Sequence, residues 1–395
     1  MEIQEEQIIR YRMRVHHLDG KLPQEGLLEA AGACGLQNSP PGTWETALFN
    51  RLHSCTLNFL RGALYHEKTL LQAWSFRGAP VVFPAAESDV FLTALCAQQG
   101  EQPWIYTKGV SAALDVMGIP FDELLARVRQ AAGYLDAHTV KSKELLDRTL
   151  AEIVQKGLPP EKQALWRSPS LYGGGGQTLG EAVVSFLLRP CSFLSLVVFG
   201  ERQGPSPTFT SFQNWLGRPP VCKPEAGRRL VQKFLHSYGP ADKASFLRWL
   251  GCSPPQAARL WDAVREEMDP VTVKGKTRYM LSRDIRLLQH AEKSGRRLIL
   301  LGPHDPYLDV SDKDLLLKSP ALQKTVWKTA ANPGAILRDG RVAGRWKTHT
   351  LKDRLELEIA LFEPFSAKEQ EELQVLAEEY AAFRLLRLTA CKIKS

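Results

Sequence analysis

Residues 224–281 constrain the fold more tightly than any other stretch of the chain. PEAGRRLVQKFLHSYGPADKASFLRWLGCSPPQAARLWDAVREE (224–267) divides into three short amphipathic helices, with breaks at Gly239-Pro240 and between Gly251 and Pro255. VTVKGKTRYML (271–281) follows as a hairpin that turns on Lys274, Gly275 and Lys276. Three short helices closed by a hairpin make a winged helix-turn-helix pattern. In it, Gln256, Arg259 and Arg265 lie on the helix that would enter a groove, and Lys274 and Lys276 lie on the wing. The plainer reading makes them the solvated face of a scaffold helix.

The pattern recurs more weakly upstream. Ile8, Tyr11, Val15 and Leu18 predict a helix over 4–18, with Arg10, Arg12 and Arg14 on its other faces. A second helix (26–34), a third from near Thr43, a strand or wing at 75–83 and a helix at 84–98 complete a first unit. Helices at 120–134 and 139–156, the connector YGGGGQTLGEA (172–182) and two strands within 194–212 suggest a second. In the last hundred residues, AILRDGRVAGRWKTHTLKDRLELEIALF (335–362) alternates around Asp339-Gly340, a strong hairpin turn. A charged helix (366–388) follows. The expected fold is therefore α+β: tandem winged helix-turn-helix units with a C-terminal β-rich, barrel-like unit. The expected boundaries are 1–110, 111–222, 223–299 and 300–395.

Charge points to a polyanionic partner. Residues 201–300 carry 18 lysines and arginines against 9 acids, while the other three hundreds are nearly balanced. An excess focused in this way favours a polyanion, most often nucleic acid; three winged units could hold double-stranded DNA as a monomer. No run of about 18 apolar residues exists, so no membrane span is expected. VVSFLLRPCSFLSLVVF (183–199) is interrupted by Arg189 and Pro190. MEIQEEQIIR has neither the basic nor the apolar region of a signal peptide. The seven cysteines never form a CxxC pair, and the histidines form no HxxxH. That predicts reduced thiols in a cytoplasm, with no metal and no cofactor.

Several motifs have bland readings. GGGG (173–176) lacks the lysine and serine of a phosphate loop and reads as a flexible connector. HDPY (304–307) is an Asp-Pro turn before it is a catalytic base. His16-His17 fits a buried pair as well as a phosphate contact. Trp74 fits the core, and Arg77 beside Gly78 fits either a cap or a DNA contact. CGLQNSPPGTW (34–44) is less ordinary. Gln37, Asn38 and Ser39 stand ahead of a Pro-Pro that fixes the backbone, where a turn needs at most one such residue.

The order of motifs resembles the AlkZ-like and YcaQ-like family of bacterial DNA glycosylases. The pieces are GLQ (35–37), W-x-x-RG (Trp74 to Gly78), YGPADKASFLRWLG (238–251), LLGPHDPYL (300–308) and DGRVAGRWK (339–347). The resemblance implies a site of two polar side chains flanking one hydrophobic residue, Gln-Φ-Gln or Gln-Φ-Asp. It falls on Gln37, Asn38 and Ser39, so only the first position matches; RGAPV (77–81) likewise stands where members often carry RGTLH. The implied activity is hydrolysis of the N-glycosidic bond of alkylated purines. Gln37 would orient water and Ser39 assist, while Asn38, Arg77, Gln256, Arg259, Lys274 and Lys276 contact DNA. The alternative is a non-catalytic DNA-binding protein, a regulator or lesion sensor, on the same scaffold. A scaffold for protein partners is a third.

Overall fold

A computed structural model describes residues 1–101, 109–173, 175–293, 295–328 and 330–394. The chain divides into two compact units, each discontinuous in sequence. One comprises Met1–Ala63, Val231–Phe246 and Val264–Ser395; the other, Leu64–Leu230 and Leu247–Ala263.

In the first unit the helix Glu5–Val15 is buried on two sides. Ile8, Tyr11 and Val15 pack with Val271, Met280 and Leu288, while Ile9 and Met13 pack with Ile299, Leu301 and Val342. Arg12 does not face solvent as its spacing predicts. Its guanidinium donates to the carbonyl oxygens of Tyr238 and Gly239, at the end of the helix Ala226–Tyr238, and pairs with Asp312 at 2.5 Å. A cation there satisfies carbonyls that the helix leaves open. The strands Met268–Val273 and Lys276–Leu281 form the expected hairpin. Its turn is the pair Lys274-Gly275, at φ 50° and 70°, as a tight type I′ connection requires. Lys276 is already the first paired residue.

The C-terminal sheet has five strands in the order Arg387–Lys394, Arg354–Leu361, Arg341–Leu351, Gly334–Arg338 and Leu298–Leu301. Its two ends are separate edges, so the sheet is open and the barrel-like expectation is corrected. The first two strands run parallel, linked by the helix Ala367–Phe383, whose Leu373 and Ala377 pack on Trp346, Leu357 and Ile359. The Asp339-Gly340 turn, at φ 50° and 80°, sits where the alternation places it.

The second unit has a core of the helices Phe121–Ala132, Lys143–Lys156 and Leu179–Phe193, packed with the hairpin Val198–Gln203 and Ser206–Thr210. The third helix runs through Pro190, its start fixed by a capping box of Thr178 and Glu181. Trp74 is core, stacked 5.3 Å from Phe209. The stretch 75–83 is a tight turn over Phe76–Gly78 leading into the strand Pro80–Pro84, whose partner Leu70–Trp74 the sequence pattern missed. The helix expected over 84–98 is broken, because Phe91 O accepts from the Ser75 hydroxyl and the chain tightens at Thr93–Leu95. Of the glycine run, Gly174 lies outside the described residues.

The helices Ala226–Tyr238, Lys243–Leu250 and Pro254–Asp262 form as predicted, and the division between the units falls within this segment. No helix among the described residues is long and apolar enough to cross a membrane.

Candidate active-site loop

The segment Leu36–Gln37 is a two-residue strand that ends in the loop 38–42 and enters the helix Thr43–Phe49. Three hydrogen bonds fix this loop. Asn38 turns inward and its Oδ1 accepts from Gly42 N at 2.7 Å. The Thr43 hydroxyl donates to Gln37 O (2.6 Å) and lies 3.0 Å from Pro40 O. Gly42 has φ 93°, and a Cβ there would stand 3.3 Å from Glu45 Oε2, so an L side chain would be strained and crowded.

Within this frame Gln37 is half-buried and Ser39 exposed. Gln37 Nε2 donates to the Ser39 carbonyl at 3.2 Å. A carbonyl can only accept, so the amide orientation is determined and Oε1 is the atom left to receive a proton from outside. Among the described residues Oε1 has no partner. Ser39 therefore acts on Gln37 through its backbone, whatever its side chain does.

The same unit holds a buried polar layer. Arg51 and Asp305 form a bidentate pair at 2.8 Å for each bond, with side chains 2% and 0% exposed. Asp305 also accepts from Tyr307 N, so the HDPY motif is structural. His16 is buried, bonded to Ser237 O at 3.0 Å and edge-on to Tyr238 and Tyr307. Burial first, then the Arg51 and Arg12 charges, holds its imidazole well below the usual range, so it is neutral at physiological pH. Burial also pushes the Cys34 thiol up to about 11, which leaves it inert.

Glu45, two residues into the helix, is 6% exposed at its side chain and held by two arginines. Arg61 Nε lies 3.0 Å from Oε1, and Arg384 NH1 lies 2.6 Å from Oε2. Sequence reasoning missed all three. Glu45 gives a faint signal as a carboxylate in the first turn of a helix; Arg384, far away in the chain, gives none.

The other predicted contacts are not brought to this loop. Gln256 is wholly buried: its amide donates to Leu95 O at 2.9 Å, and no surface remains for a base or phosphate. Arg259 forms a bidentate pair with Glu101 at 2.6 and 3.0 Å. Lys274 pairs with Glu5 at 2.8 Å. Arg77 and Lys276 are exposed, Arg77 at φ 56° on the turn before the strand Pro80–Pro84. Much of the charge excess of residues 201–300 is engaged internally, as Arg229 with Glu87, Arg278 with Asp242, and Lys233 with Gly32 O also show. No group of acids, histidines and cysteines suited to a metal ion occurs among the described residues.

Comparison with known proteins adds what the geometry alone does not. Residues 30–383 match the model of the family described as DNA glycosylase AlkZ-like. The interstrand DNA cross-link repair glycosylase of Streptomyces sahachiroi is 26% identical over 296 residues, covering 71% of this chain and 70% of the relative. The solved structure of the Streptomyces sahachiroi DNA glycosylase AlkZ superposes with a TM-score of 0.78 over 100% of both chains, at 19% identity, a likeness of fold.

Proposed function

The chain belongs to the AlkZ-like DNA glycosylase family, and from that premise we propose that it is a DNA repair enzyme hydrolysing the N-glycosidic bond of alkylated purines. The observation that carries this reading is Gln37. Its carbonyl oxygen has no partner among the described residues while its nitrogen is tied to the Ser39 backbone, on a half-buried residue of a loop braced by Asn38 and Thr43.

A purine alkylated on a ring nitrogen is cationic. When the bond from C1′ to the base breaks, the electron pair goes to the base, which leaves neutral, and the sugar becomes oxocarbenium-like. Water adds to C1′ and its proton passes to solvent. Such a reaction needs water held in place more than it needs a base, and a carboxamide is a very poor base. Gln37 Oε1 accepts a hydrogen bond from the water and so aims the oxygen lone pair; Ser39 orients Gln37 and presents its hydroxyl beside it. No metal and no cofactor enters this scheme, and the reaction is monofunctional. The name of the Streptomyces relative adds purines alkylated by a cross-linking agent to the substrate class proposed here.

Winged helix-turn-helix surfaces, with Arg77 and Lys276 as their exposed cations, hold the duplex through phosphate contacts. Asn38, Arg259 and Lys274 are placed in the same reading as supports whose polar groups already have partners. The four segments expected from the sequence are the proposed modules, each with its own surface, of a protein proposed to act as a cytoplasmic monomer. The second reading, a lesion sensor without turnover, is favoured by one observation: the acceptor of Asn38 is used within the loop, and Ser39 is shorter than the glutamine or aspartate that the family motif carries. Incubation with two duplexes, one carrying N7-methylguanine and one a purine interstrand cross-link, separates these readings. Free base or strand separation supports the enzyme; tight binding with neither product supports the sensor.

A further inference from the structure

A cavity of about 620 Å³ opens beside the candidate loop, wholly within the first unit. It begins one residue after Ser39. Pro40, Pro41, Gly42 and Thr43 form one wall, and Trp346, Lys347, Tyr380 and Arg384 lie on others. Among the described residues no aspartate or glutamate lines it, and two cations, Lys347 and Arg384, do. Lys347 is exposed on the strand Arg341–Leu351 and, although opposite Glu358 in the ladder, makes no ion pair among the described residues. Arg384 is fixed: one amino group is held by Glu45, and the ring of Phe383, the residue before it, stacks 4.5 Å from Phe49. Glu45 sits behind Gly42 and shares its charge between Arg61 and Arg384, so that cluster is net positive by one. Tyr380 is positioned by edge contacts with Trp346 at 5.0 Å and Phe49 at 6.4 Å. A cavity with two cations, hydroxyls and no acid on its walls selects an anion.

We propose that this cavity seats a backbone phosphate of the DNA strand carrying the lesion, with Arg384 as a pre-oriented fork and Lys347 as a second charge. This inference rests on the glycosylase reading, since it is the motif loop beside the cavity that gives the phosphate a purpose. Anchored there, the strand holds the adjoining sugar in register with Gln37. Arginine suits the role because its planar donors remain aimed at a phosphate oxygen while another donor is tied to Glu45.

The test is the salt dependence of affinity for a short duplex containing a tetrahydrofuran abasic analogue, read by fluorescence anisotropy. Each phosphate contact contributes about 0.9 to the slope of log affinity against log salt. Lys347→Ala is expected to reduce the slope by part of that amount, and Lys347→Ala with Arg384→Gln by about 0.9, the contribution of the one phosphate seated there. Lys368→Ala is the control: it removes the same charge from the other end of the helix Ala367–Phe383, about 24 Å along its axis, and should leave the slope unchanged. Lys347→Ala alone keeps the test decisive if loss of Arg384 disturbs Glu45. Unchanged slopes in a wild type that binds would overturn the phosphate site and leave the glycosylase reading standing. Equal losses in all the single-charge variants would also overturn it, by showing a diffuse field. A wild type without salt-sensitive binding would remove both.

Discussion

The loop Gln37–Gly42 and the helix Pro254–Asp262 each gather polar side chains at the start of a helix, and they use them differently. In the helix, Ser253 caps the first turn, Gln256 is buried against Leu95 O, and Arg259 is held by Glu101. In the loop, Asn38 and Thr43 satisfy the backbone, and Gln37 Nε2 is held by the Ser39 carbonyl, which leaves Gln37 Oε1 without a partner among the described residues. Both regions leave an acceptor over: Gln256 Oε1 is buried without a partner among the described residues, whereas the Oε1 of the half-buried Gln37 is not enclosed in this way. What distinguishes a reading head from a scaffold is whether the donor or acceptor left over can be reached from solvent, and not the residue types.

The comparison can be broken from the helix side first. Gln256→Ala should destabilise the protein by about 2 kcal/mol, since it strands Leu95 O in the core, while leaving DNA affinity per folded molecule unchanged. Thermal unfolding and anisotropy on the same sample check this. A loss of affinity without a loss of stability would mean that Gln256 reaches DNA after all. From the loop side, Asn38→Ala should cost about 1 kcal/mol by freeing Gly42 N and slow base release several-fold, as Gln37 loses its fixed aim. The smallest effect is expected at Ser39→Ala, about a factor of two in rate, because the backbone carbonyl that holds Gln37 survives the change. A large effect there would shift the chemistry onto the serine hydroxyl.

The buried polar layer makes a prediction about pH. The folded protein holds His16 neutral, with its imidazole below the ordinary value. In the window between that lowered value and about 6.5 the unfolded chain binds more protons, so stability rises with pH there. It is fully present above about 6.5 and is lost as pH falls toward the folded value. The half-buried His17 shifts the same way and adds to the slope. His16→Gln should flatten denaturant-measured stability between pH 5 and 7; an unchanged profile would place the acid sensitivity elsewhere.

Local patterns were legible and long-range partners were not. The three helices of 224–267, the Lys274-Gly275 turn and the Asp339-Gly340 turn follow from spacing and from residues that tolerate positive φ. The closing strand Arg387–Lys394 escaped notice because its exposed charged residues mask the alternation, and its pairing is with a strand some thirty residues earlier. Arg12 read as solvent-facing because the carbonyls it caps, on Tyr238 and Gly239, leave no trace near it in sequence. The charge excess of 201–300 was visible, but the acids that engage it, Glu87, Glu101 and Glu5 among them, lie elsewhere in the chain. At the loop, the sequence located Gln37 and its neighbours; which amide atom is left without an internal partner required the Ser39 carbonyl.

The most direct test of that last point is single-turnover release of N7-methylguanine from alkylated duplex by the wild type and by Gln37→Ala. Release by the wild type, slowed about a hundredfold or more in the variant while both bind the duplex equally, is the predicted result. Equal release by the two proteins, or none from a wild type that binds with salt sensitivity, would contradict a water-orienting role for Gln37.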